Sequence, residues 1–347
     1  MELHVSCLCG AIKQTVSSQA TGKVEYRMCH CNTCRHSTGL LCTSYCQVSE
    51  PDVSSGFGRF DSSGQTARYF CSSCSSHVFR SMRAKEQTVW EVATGTITAS
   101  SEDASLDDVS VAHLHVEDTE DGGGAPWLAG PCSPRIDAVS QLSEELEASC
   151  ACGRVNFRIG RPTAESYIPH RGYTDLIHPY FSTAESITSN PKDEKWWIQG
   201  QGAKYLAGTC ACRPCRLGSG FEIQTWAFVP VANIIFHVDG KPIPLDFATL
   251  PPGILRSFAS SDGVVRESCG GCGATVFWRE KVRPDVIDVS VGLLRAAEGA
   301  RAETWLHWWA GRVSFDEEAE TGRSGSYKKG ARALINKLAQ GLRQWGG

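Results

Sequence analysis

The chain has 347 residues, a formal net charge of −4 and 17 cysteines, a length that predicts two domains each able to bury a core. Its mild acidity, with a pI near 6.2, gives no electrostatic basis for nucleic-acid binding, and no run approaches the roughly eighteen apolar residues of a membrane span. No apolar stretch follows the N-terminus as a secretory signal would require, and the cysteine density lies below the about 8–10 % of a disulfide scaffold, so the expectation is a cytoplasmic chain with reduced thiols, in which Cys-x-x-Cys indicates metal binding before redox chemistry.

The first unit is predicted over residues 1–128. It opens with Cys7-Leu8-Cys9-Gly10, whose cysteines alternate along an extended segment and so point to one side. Cys29-His30-Cys31-Asn32-Thr33-Cys34-Arg35 follows, and then Cys71-Ser72-Ser73-Cys74, the tight-turn half-site of a zinc knuckle. Alternating runs at 88–94 and 109–113 predict strands. Asp121 to Pro126 breaks the chain, and residues 129–147 form a linker with one short helix expected over 136–147.

The second unit is predicted over 148–322 and repeats the order. Cys150-Ala151-Cys152-Gly153 precedes Cys210-Ala211-Cys212-Arg213-Pro214-Cys215-Arg216, and Cys269-Gly270-Gly271-Cys272 completes it. The spacing between motifs has grown while the motifs themselves are intact. The largest added stretch, 162–204, carries Tyr167, His170, Tyr173, His178, Tyr180, Trp196 and Trp197. A long loop of this composition is either a cover over a site or a packed excursion. Strands are expected at 222–229, 234–238, 274–278 and 287–291. Residues 323–347 form a C-terminal amphipathic helix, with Ala331, Leu334, Ile335, Leu338 and Leu342 on one face.

Seven thiols per unit divide into four and three. A zinc bound by four cysteines is closed and structural, whereas three leave a position for water or substrate. Cys7, Cys9, Cys71 and Cys74, and likewise Cys150, Cys152, Cys269 and Cys272, would staple each unit across distant segments and contribute folding energy. Cys29, Cys31 and Cys34, and likewise Cys210, Cys212 and Cys215, fall within six residues and can meet at one metal. Arg35 and Arg216 follow each triad and are candidates for charge compensation or for holding a substrate carboxylate. His30 has Ala211 in its place in the second copy, so it is read as a supporting residue and not a base. Cys42, Cys46 and Cys132 are left over as free thiols. The grouping favours zinc over iron, up to four ions per chain.

The order Cys-x-Cys-Gly, Cys-His-Cys-x-x-Cys-Arg, Cys-x-x-Cys resembles the CENP-V/GFA family, the glutathione-dependent formaldehyde-activating enzymes. Val92 to Ile97, Val289 to Leu294, and His113 to Thr119 followed by Pro126-Trp127-Leu128 resemble further segments of that family. The resemblance spans roughly 3–128 and 147–318 and implies a mainly β chain of two tandem zinc-bearing β-sandwich domains. It also implies structural four-cysteine sites and catalytic three-cysteine sites, with carbon–sulfur lyase chemistry on glutathione or another small thiol-containing or electrophilic molecule. The alternative is a zinc-stabilised scaffold whose triads are empty or closed by a fourth protein ligand.

Overall fold

A computed structural model describes residues 1–19, 23–85, 87–101, 109–128 and 143–346. The chain is mainly β. In its first part a seven-stranded sheet runs in the spatial order 109–114, 24–29, 43–48, 87–93, 77–84, 66–71, 57–63, and a three-stranded sheet joins the hairpin 2–6/13–17 to 97–100. The second part repeats the large sheet strand for strand: 306–308, 204–210, 224–230, 283–290, 275–280, 264–269, 255–261, with the short strand 198–199 added at the edge. In both copies the strand ending at the first triad cysteine pairs in parallel with a strand from much later in the chain. Its other neighbour is antiparallel. The expected strands at 88–94, 109–113, 222–229, 234–238, 274–278 and 287–291 all appear with ends moved by a few residues.

Two expectations need correction. Of the helix predicted over 136–147, residues 136–142 lie outside the described residues, and Glu145–Ser149 form a strand paired with Asn156–Gly160. The apolar residues Leu146 and Ala148 alternate inward there, a period of two. Cys7 to Gly10 is not extended but is the hairpin turn itself, closed by the Gly10 N–H donating to the Cys7 carbonyl at 3.3 Å. Cys150 to Gly153 does the same at 3.1 Å.

The two parts meet reciprocally. After the Asn32–Thr38 helix, the Gly39 carbonyl accepts from Gly292 N–H at 3.1 Å, and after the Arg213–Ser219 helix the Gly220 carbonyl accepts from Gly95 N–H at 3.0 Å. Gly95 and Gly292 hold equivalent places, so each part offers the other the same two surfaces, as in a two-fold symmetric dimer. The approach leaves no room for a side chain. A Cβ on Gly95 would lie 2.4 Å from Phe221 N, and one on Gly292 would lie 2.3 Å from Leu40 O. A buried ion pair between Arg323 and Glu222, at 2.8 Å, sits beside this contact, and Glu222 also accepts from Thr94 Oγ1.

The C-terminal helix, Ser326–Gly346, turns Ala331, Leu334, Ile335, Leu338 and Leu342 inward. It packs on Ala125–Leu128 and on strands 24–29, 97–100 and 109–114 of the first part, with Trp345 edge-on to Trp127. No helix among the described residues is long and apolar enough to cross a membrane. The glycine contacts give a direct test: Gly95→Ala and Gly292→Ala should each lower stability by about 1–3 kcal/mol through overpacking. Gly64→Ala, which meets nothing within 4 Å, should stay within about 0.5 kcal/mol when thermal unfolding is compared.

Candidate metal centres

All fourteen motif cysteines gather into four groups, each with its sulfurs within 4.8 Å of one another: Cys7, Cys9, Cys71, Cys74; Cys150, Cys152, Cys269, Cys272; Cys29, Cys31, Cys34; and Cys210, Cys212, Cys215. Any of the four could hold a metal ion. Thiolates around a tetrahedral zinc at about 2.3 Å must lie about 3.8 Å apart. Here Cys7–Cys9 are 3.5 Å apart and Cys9–Cys71 3.7 Å. Cys150–Cys269 and Cys152–Cys269 are 3.5 and 3.4 Å apart, and both Cys31 and Cys34 lie 3.5 Å from Cys29. The donor set and its spacing fit zinc.

Each four-cysteine group joins two turns. The second turn is closed by Ser75 N–H to Cys71 O at 2.9 Å, and by Gly273 N–H to Cys269 O at 3.0 Å. The residue after the second cysteine must take positive φ. Gly273 does so freely at 74°, and Ser75 is held there at 58°.

The triads use a strand end and a helix start. Cys29 and Cys210 finish their strands, and Cys31 and Cys212 cap the following helices. The capping sulfur accepts from the Cys34 and Cys215 backbone N–H, at 3.3 Å in both copies. Among the described residues no fourth histidine, cysteine or carboxylate ligand atom joins either triad.

What does reach each triad is an arginine that sequence reasoning missed. Arg68 Nη2 donates to Cys34 Sγ at 3.1 Å. Arg266 donates to Cys215 Sγ through Nη2 at 3.5 Å and Nη1 at 3.6 Å. Both side chains are buried, and each sits three residues before a Cys-x-x-Cys. Aligning the two copies of the repeat would have revealed them. Hydrogen bonds from Cys29 and Cys31, and then the charges of Arg68 and Arg80, hold the Cys34 thiol well below the usual range against the effect of burial. Cys210, Cys212 and Arg266 do the same for Cys215.

Arg35 and Arg216 are not at the thiolates. Arg35 is buried and donates to Asn32 Oδ1 and, at 3.3 Å, to the Leu294 carbonyl across the interface. Arg216 donates to the Gly95 and Thr321 carbonyls. Neither lines the cavity beside its triad. The helical register explains this, since the residue after the third cysteine faces away from the sulfurs and toward the other half of the chain. His30 is fully buried, lies 3.0 Å from His113 through Nε2, and is pushed down to about 3 chiefly by burial. It supports the strand pair and does not face the cavity. Cys42 is buried, Cys46 is half-buried, and Cys132 lies outside the described residues.

A cavity opens on each triad. The first, of roughly 380 Å³, is walled by Arg27, Tyr45, Arg68, Arg80 and Glu91. Arg80 pairs with Glu91 and stacks 4.0 Å from the Tyr45 ring centre. The second, of roughly 270 Å³, has Trp226, Trp278, Arg266 and an Arg283–Asp288 pair. Burial pushes Asp288 up to about 6 despite Arg283. Thr174, Asp175, Leu176 and Tyr180 of the long added stretch close one side of it. Asp175 fastens that stretch by accepting from Arg312 at 2.8 Å, Ser314 Oγ at 3.0 Å and Phe315 N–H at 2.8 Å.

Partners of a metal-bound ligand commonly carry about 10–100-fold in metal affinity. Arg68→Met and Arg266→Met should therefore weaken zinc retention at their own triads by about that factor. The four-cysteine groups should be unaffected, as chelator competition would read out site by site.

Comparison with protein families matches residues 2–111 to the model described as glutathione-dependent formaldehyde-activating enzyme. No curated protein and no solved structure matches the chain. The matched segment contains the hairpin turn, the first triad and the first Cys-x-x-Cys, together with the strands that hold them. Residues 2–111 are thus similar to the glutathione-dependent formaldehyde-activating enzyme family, a likeness confined to that segment.

Proposed function

We propose that the protein is a zinc-dependent enzyme of the carbon–sulfur lyase type, acting on a small thiol-containing, glutathione-linked or electrophilic organic molecule at the three-cysteine centres. In this reading residues 1–128 and 148–322 are tandem domains of one family. Cys7, Cys9, Cys71, Cys74 and Cys150, Cys152, Cys269, Cys272 hold structural zinc. The observation that carries the reading is that each triad ends at a cavity wall with no fourth ligand atom among the described residues. A scaffold with purely structural metals has no use for that opening.

A zinc held by three thiolates supplies a Lewis acid able to bind a substrate thiolate or oxygen and to lower the pKa of that group. The rest is done by the chain. Cys29, Cys31 and Cys34, or Cys210, Cys212 and Cys215, provide the ligands. Arg68 and Arg266 offset the excess negative charge of three thiolates and orient one of them by donating to its sulfur. In the first cavity Arg27 and Arg80 present cations to the carboxylates that a glutathione-like molecule carries. In the second, the added stretch restricts access of water, which strengthens every charge interaction inside.

Metal analysis tests this. The wild-type chain should hold four zinc ions, falling to three in a Cys29/Cys31/Cys34→Ser variant and to three in a Cys210/Cys212/Cys215→Ser variant. Two ions in the wild type, unchanged by either variant, would overturn the enzyme reading in favour of a zinc-stabilised scaffold. In a turnover assay with a thiol–aldehyde pair, Cys212→Ser protein verified to lack its triad zinc should lose the activity of the second centre; full retention would remove that centre from catalysis.

A further inference from the structure

The two cavities are built on equivalent strands but differ in charge. Three arginines, Arg27, Arg68 and Arg80, face one carboxylate, Glu91, in the first. In the second, Arg266 and Arg283 face three, Asp175, Glu280 and Asp288. An excess of one sign focuses its field into a cavity, so an anionic molecule is drawn to the first, whereas the second, with Asp175 paired to Arg312 and Asp288 to Arg283, offers it no such attraction.

Equivalent positions show how the change was made. Tyr45 and Trp226 both follow the third triad cysteine by eleven residues, and Arg80 and Trp278 both follow the Cys-x-x-Cys by six. Each exchange adds an indole, and the second also deletes a cation. Arg27 has Gly208 in its place, and Leu176 fills the room this leaves. A Cβ on Gly208 would lie 2.3 Å from Leu176 Cδ2. His115 at the rim has Phe315 as its counterpart, both with left-handed backbones at φ of 55° and 52°.

The charges of the second cavity are already engaged. Arg283 Nη2 donates to Asp288 at 2.5 Å, and its guanidinium lies 5.5 Å from the Trp278 ring centre and 5.3 Å from that of Phe228. Arg266 donates to Cys215, and Asp175 accepts from Arg312, Ser314 and Phe315 through Oδ1 and from the Tyr180 N–H through Oδ2. What remains for a ligand is an apolar, largely aromatic face of Trp226, Trp278, Phe228, Leu176 and Phe315. Among the cavity's lining residues, Arg283 Nη1, Arg266 Nε and Thr209 Oγ1 are buried without a partner. The volume of roughly 270 Å³ exceeds the about 150 Å³ that admits benzene in an engineered cavity.

We propose that the second triad serves an uncharged aromatic thiol, its ring held against Trp226, Trp278 and Phe228, whereas the first serves an anionic thiol. The inference rests on the reading of the triads as open thiol-binding centres. One polypeptide thereby offers two substrate classes to one type of centre.

Isothermal titration calorimetry on the full, zinc-loaded chain tests it with phenylmethanethiol, 3-mercaptopropionate and benzyl alcohol. Phenylmethanethiol should occupy one site per chain, and Trp278→Arg should weaken that binding at least tenfold while leaving the 3-mercaptopropionate site unchanged, which also reports that the variant is folded. Phe315→His, a milder change at the rim, should weaken it several-fold and serves if the first variant does not fold. Absence of phenylmethanethiol binding, or binding that survives both substitutions, overturns the proposal. Benzyl alcohol binding as tightly as phenylmethanethiol, with both lost in Trp278→Arg, would uphold the aromatic class and overturn the thiol-binding reading beneath it.

Discussion

Sulfur atoms packed 3.4–3.7 Å apart are the constraint on which the rest of this molecule depends. Thiols gathered so closely cannot all ionise without a cation among them, because like charges at that range repel by several kcal/mol even at an effective dielectric of about 20. A metal ion such as zinc would supply that cation at the turns, where it would fasten the hairpin 2–6/13–17 to a turn that follows Cys9 by more than sixty residues. At the triads the chain adds a second cation of its own in Arg68 and Arg266. An ion pair this buried would be costly if either partner were left alone, so arginine and thiolates stand or fall together.

The reciprocal contact between the halves adds a different sort of constraint. Gly39 and Gly220 end the helices that carry the third triad cysteines, and each accepts a backbone hydrogen bond from the opposite half. The helix that positions one triad is therefore seated on the turn that follows a strand of the other half's large sheet. Arg35 and Arg216 reinforce this by capping carbonyls across the boundary. Neither half has an independent surface there, and the arrangement behaves as a dimer made covalent.

Much of this was legible in the residues. The cysteine spacing identified all four groups, because a Cys-x-Cys or a Cys-x-x-Cys limits where its sulfurs can be regardless of the fold around it. The C-terminal helix was legible from its 3.6-residue period. Three features were not. Arg68 and Arg266 lie on strands whose alternation gives no hint that an inward position holds a charge. Arg35 and Arg216 sit beside cysteines in sequence, yet one further residue of helical rotation turns them toward the interface. Glu145 to Ser149 has a composition suited to a helix and becomes a strand because Asn156–Gly160 pairs with it, a tertiary decision that local propensity does not contain.

The last helix has a consequence for how the chain matures. Its apolar face covers Trp127 and the strands 24–29 and 97–100 of the first half, yet it follows the whole of the second half in sequence. During synthesis the first half emerges early and waits with that face bare until residues 326–346 have left the ribosome. The usual order, in which an N-terminal unit completes itself before the next appears, is closed to this protein. Damage to residues 326–346 should therefore be felt in the first half, far away in sequence.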